Sequence, residues 1–194
     1  MNRIAAAVIL AAVPAQAEVP GGHLHVGVGA SVYQPFVSDQ SLVWNPPGEP
    51  GHTPGTDLAL SLDLAFETTY AFAAVSLEAG GFLSAQPEFT LASARGGVFF
   101  RSGNIGPYMS VGAGRMSMRL FTPYDLGTMV DANGLALIGE AGVLLFRDRQ
   151  FGRIAFALRL IAPQFGLKPP SWATPGGANS EPIPMLLFTT RLLF

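Results

Sequence analysis

The side chains able to do chemistry are few: three histidines, 13 acidic and 11 basic residues, and no cysteine in 194 residues. The lack of cysteine excludes a disulfide framework, thiolate metal sites and cysteine nucleophiles. His23 and His25 form an H-x-H pair. In an extended strand that spacing puts both rings on one face, where they could hold a metal, but no third ligand accompanies them. They read as polar residues at a rim. His52 lies close enough to Asp57 for a histidine–carboxylate pair. Gly27-Val28-Gly29 and Gly112-Ala113-Gly114 lie in strand-like segments and precede no helix, so they do not read as phosphate cradles. No catalytic constellation emerges, and no cofactor or metal is implied. Seven charges remain, scattered about one per segment: Asp63, Glu78, Arg95, Arg115, Glu140, Arg159 and Arg191.

What those charges do depends on the elements that carry them. Asp57–Glu67 (DLALSLDLAFE) alternates strictly, with Leu58, Leu60, Leu62, Leu64 and Phe66 on one face and Asp57, Ser61, Asp63 and Glu67 on the other. Period 2 over this length is a strand with one apolar face, since successive side chains point to opposite sides of a sheet. The pattern recurs in 23–33, 135–146, 153–161 and 184–194, and less cleanly in 70–80, 89–100 and 107–120. That makes eight strands, each of a length to cross a bilayer when tilted. The connections 68–69, 101–106 and 147–152 are short, 81–88 is intermediate, and 34–56, 121–133 and 162–183 are long and rich in proline. Alternating short and long hairpins are how outer-membrane barrels are built, with the short turns in the periplasm.

Composition supports a membrane rather than water around the apolar face. Charged residues are 12% of the chain, against about 25% in an ordinary soluble domain, and mean hydropathy is +0.36. The formal charge of −2 argues against nucleic acid as a partner. A soluble barrel would show water a face rich in Lys, Glu and Thr, yet the polar face here is mainly Gly, Ala and Ser, and Lys168 is the single lysine. Met1–Ala17 has a basic start at Arg3, an apolar run and an Ala-Gln-Ala cleavage motif. It reads as a secretory signal peptide ahead of a barrel domain over 18–194. The expected fold is all-β: an eight-stranded, antiparallel, up-and-down transmembrane β-barrel.

The cleavage site, the repeated hairpins and a last strand MLLFTTRLLF ending on Phe194 resemble the small outer-membrane barrels of the OmpA, OmpX and OmpW type. The resemblance spans 18–194 and is architectural. It implies the outer membrane of a Gram-negative bacterium, contact with outer-membrane lipid and lipopolysaccharide, and a monomer. It also implies that Phe194 acts as the signal read by the barrel-assembly machinery. A structural or surface-interaction role follows, with an OmpW-like conduit for small apolar molecules as the alternative. A lipid A-modifying enzyme is less favoured, because no H-x-S-N segment is present.

With the apolar faces outward, the seven charges point into a lumen just wide enough for side chains. There they must pair, since an isolated buried charge is costly. If Phe146 faces Arg153 across 147–152, then Glu140 faces Arg159, each six residues beyond that pair. The expectation is a polar plug centred on that pair, with Asp63, Arg95 and Arg115 as neighbours. The same phase puts Met109, Val111, Leu187 and Leu193 inside. Aromatic belts are expected from Tyr70, Phe99, Phe100, Tyr108 and Phe194 at the short-turn end, and from Tyr33, Phe36, Phe82, Phe89, Phe121 and Tyr124 at the other.

Overall fold

The computed structural model describes residues 22–36, 56–81, 88–121, 129–149, 152–166 and 182–194. The signal-peptide segment 1–17, His52, Phe82 and Tyr124 lie outside them. Eight strands follow in chain order: β1 (His23–Pro35), β2 (Asp57–Glu67), β3 (Ala71–Gly80), β4 (Glu88–Phe99), β5 (Ile105–Phe121), β6 (Met129–Leu145), β7 (Arg153–Pro163) and β8 (Met185–Leu193). Each pairs antiparallel with its sequence neighbours, and β1 pairs with β8 to close the barrel. Closure satisfies every strand on both sides, which an open sheet in hydrocarbon could not do.

The register fixes the shape. Followed once around, the pairing runs His23, Glu67, Phe72, Gly97, Ser110, Glu140, Arg159, Leu187 and returns at Tyr33, ten residues from its start. From a rise of 3.3 Å and a spacing near 4.8 Å, a stagger of ten over eight strands tilts them by roughly 40°. That tilt falls in the range of membrane barrels.

Alternation decides the faces. On β2, Leu58, Leu60, Leu62 and Leu64 are 39–51% exposed, whereas Asp57, Ala59, Ser61 and Asp63 between them are buried. Val75, Leu77, Val98, Leu135, Leu137, Phe156, Leu158, Leu160 and Phe188 are likewise exposed around the wall. A continuous apolar exterior around a charged interior is a barrel made for lipid. The inner face is small where the charges are large. Arg95 has Ala74 and Gly112 as register partners, and Arg191 has Ala155 and Gly29. A Cβ on Gly29 would stand 2.7 Å from Cγ of Arg191, and one on Gly112 would stand 2.6 Å from Cβ of Arg95. These glycines make room for the guanidinium stems.

Three expectations need correction. First, β5 and β6 run to Phe121 and back from Met129, so the long connection expected over 121–133 shrinks to 122–128. Residues 131–134 (DANG) lack the alternating grease of the other strands, and their outward side chains, Asp131 and Asn133, are polar. Second, the phase of β5 is the opposite of that expected. Arg115 is exposed on the outer face, as are Met109 and Val111, while Tyr108, Ser110, Met116 and Met118 are buried inside. Arg115 is therefore no part of a lumenal plug. Third, Tyr33, Phe89, Phe99 and Tyr108 are buried in the lumen and do not contribute to the belts; Tyr70, Phe100 and Phe194 are exposed at the short-turn end and Phe36 at the other.

Candidate functional site in the barrel lumen

The lumen is layered. Nearest the long connections it is mainly apolar: Tyr33, Phe89, Leu91, Met116, Met118, Ile138, Ile161, Met185 and Leu187 form one buried cluster, with Asp57 buried opposite Tyr33 in the β1–β2 register. Tyr33 and Phe89 meet edge to face at 5.2 Å, a favoured aromatic geometry. On β7 and β8 sequence alternation cannot separate this inner apolar layer from the outer one, since Leu160 beside Ile161 and Leu186 beside Leu187 make both faces greasy there.

Below it lie six of the seven charges. Glu140 is the hub. Its Oε2 accepts from Arg95 Nη1 at 2.8 Å and Arg159 Nε at 2.6 Å, and pairs with Arg191 Nη2. Its Oε1 accepts from the Tyr108 hydroxyl at 2.8 Å. Arg159, opposite Glu140 in the β6–β7 register, also reaches Glu78 Oε2 at 2.6 Å. Arg95 reaches Asp63 Oδ1 at 2.5 Å, and Asp63 accepts further from Ser76 and Ser61. Three guanidinium groups thus face three carboxylates, all buried, so the layer is neutral. Charge-assisted bonds among so many partners offset the loss of hydration that one buried pair would not. The site residues Asp63, Glu78, Arg95, Glu140, Arg159 and Arg191 are brought together here. Arg115 is not; its Nη2 lies 3.4 Å from Asn133 Oδ1 on the outside. Phe194, at the end of β8, exchanges backbone bonds with Val26 and points outward.

A second charged layer closes the short-turn end, and sequence reasoning missed it. Glu67 accepts from Arg147 Nε at 2.6 Å and Arg153 Nη1 at 3.1 Å, and Arg153 Nη1 lies 3.0 Å from His25 Nε2. The alternation had already put Glu67, Arg153 and His25 on inner faces at strand ends; nothing marked Arg147, a turn residue. Phe146 adopts φ of 60°, and the reversed backbone direction sends the Arg147 side chain beneath the barrel. Arg147 Nη2 then donates to the carbonyls of Thr68 and Thr69, and Nη1 to that of Arg101. Its guanidinium lies 3.7 Å over the Phe99 ring. One side chain thereby ties together all three short turns. Arg147→Lys keeps the charge but loses the planar fork. It is expected to lower unfolding free energy by about 1–3 kcal/mol, read by denaturant titration of the refolded barrel.

Between the two charged layers a cavity of about 40 Å³ is lined by His25, Asp63, Glu67, Arg95, Tyr108 and Arg191, among others. Its volume would admit a water molecule, but Phe72, Phe99, Leu144 and Leu193 make most of its lining apolar.

Set against known structures, the barrel matches Neisserial surface protein A (NspA) with a TM-score of 0.55 at 12% identity, over 88% of this chain and 97% of that one. It matches the N-terminal β-barrel domain of Pseudomonas aeruginosa OprF with a TM-score of 0.52 at 11% identity, with the same coverage. The fold is that of the small outer-membrane barrels. At these identities the likeness is one of fold alone. No protein-family model matches the sequence, and no curated protein sequence matches it.

Proposed function

We propose that this chain is an outer-membrane barrel of a Gram-negative envelope with a structural or surface-interaction role, its lumen closed rather than conducting. The observation that carries this reading is Glu140, held by three arginines and a tyrosine across the middle of the lumen. Above it the inner face is packed by apolar side chains, and below it Arg147 spans the short turns. In this role the six charges specify register and fill the bore. Phe194 serves as the assembly signal, and the barrel works as a monomer without catalytic chemistry.

The test is planar-bilayer recording. The wild-type barrel is expected to show no discrete conductance steps, and the Glu140→Ala/Arg191→Ala pair to show flickering openings. Stable single-channel steps in the wild type would sink the closed-lumen reading. The alternative, passage of small apolar molecules, requires the packed apolar cluster of the upper lumen to part. It rests now on Leu187 and its neighbours, since Met109 and Val111 point to lipid.

A further inference from the structure

The outward side of β5 changes character at one position. Ile105, Met109 and Val111 are 55–73% exposed and apolar, and Ala113 continues them; then come Arg115, Ser117 and Arg119. Ten strand steps from Ile105 to Arg115, at a tilt of roughly 40°, climb about 25 Å, the height of the apolar band of a membrane barrel. Arg115 therefore stands where hydrocarbon gives way to headgroups on the long-loop side.

Its own row partners, Ala92 and Leu135, are apolar, but on the long-loop side the register gives it polar outward neighbours. Thr90, Ser117 and Asn133 form the next row, and Glu88, Arg119 and Asp131 the row above. Arg119 is engaged, with Nε 3.2 Å from Asp131 Oδ1. Arg115 is not neutralised in this way. Its contact is the neutral Asn133 amide oxygen, and among the described residues no carboxylate forms an ion pair with it. An exposed guanidinium at the edge of hydrocarbon, flanked by hydroxyl and amide groups, matches the bidentate geometry of a phosphate.

We propose that Arg115, with Ser117, Thr90 and Asn133, is a binding site for a phosphate of lipopolysaccharide at the base of the outer leaflet. The proposal rests on the outer-membrane reading. The long connections lie at this end of the barrel and mark it as the outer side, the leaflet where lipopolysaccharide stands. Its glucosamine phosphates sit at the level that the apolar band assigns to Arg115.

The test is native mass spectrometry of the refolded barrel offered bisphosphoryl lipid A, dephosphorylated lipid A or dioleoyl phosphatidylglycerol. The wild type is expected to retain bisphosphoryl lipid A at least five-fold better than either alternative. Arg115→Gln should lose at least five-fold of that retention, and Arg119→Gln less than two-fold. Ser117→Asp keeps Arg115 but supplies a competing carboxylate on the same face, and should lose at least three-fold. Unchanged retention in Arg115→Gln, or equal retention of phosphatidylglycerol, overturns the site. A heat-dependent gel shift on each variant reports folding separately. A wild-type barrel that folds yet fails to enter lipid vesicles refutes the membrane reading, whereas one that enters but ignores lipid A refutes this site alone.

Discussion

Glu140→Ala is expected to lower the unfolding free energy of the barrel by about 3–5 kcal/mol, the usual effect of removing one partner from a buried ionic cluster. The reason is charge balance in a closed space. Arg95, Arg159 and Arg191 all converge on this carboxylate. Without it three buried cations face only Asp63 and Glu78, and the Tyr108 hydroxyl loses its acceptor. Asp63→Ala should be milder, because among the ion pairs of the central layer Asp63 meets Arg95 only. Removing Arg191 together with Glu140 restores neutrality and should recover part of the loss. Urea titration of refolded protein, with the gel shift as a second probe, gives these differences directly. Equal effects of the Glu140 and Asp63 variants would deny Glu140 its place as hub.

Leu62→Arg carries the other large effect, and it tests which side of the wall meets lipid. Leu62 is 50% exposed on the outer face and paired with Val28 and Leu77, far from either rim. A guanidinium at that depth in a bilayer is expected to destabilise by about 2–4 kcal/mol, against about 0–1 near the interface. Ser117→Arg is the matched control, one row above Arg115. If the barrel stood in water, both changes would sit on a solvated surface and both would be nearly neutral. Folding free energies in lipid vesicles separate the two cases, and equal costs for Leu62→Arg and Ser117→Arg would refute the depth assignment.

Much of this architecture follows from period 2 alone. The alternation of β2, with leucines against Asp57, Ser61 and Asp63, determines both the strand and its faces, because a one-residue slip would bring every leucine inside. The distance from the 147–152 turn determines that Glu140 meets Arg159, since an antiparallel hairpin conserves its register. The scarcity of charge and the small polar face point to lipid. These are local properties, and each can be read from a few consecutive residues.

The phase of β5 could not be read this way. Its inward residues run from Tyr108 and Ser110 to Met116 and Met118, and its outward ones from Met109 and Val111 to Arg115 and Arg119. Each face changes from one character to the other along the strand, because the lumen is apolar where the outside has risen out of the membrane. Assigning charge to the inside holds only within the hydrocarbon band, and Arg115 lies at its edge. That Arg95 and Arg191 would join Arg159 on Glu140, and that Arg147 would join three turns, depended on the ten-residue stagger that winds distant strands to one height. That stagger exists only once β1 has met β8. Hydrogen-bond register is local to each hairpin, but the sum of eight registers belongs to the closed barrel.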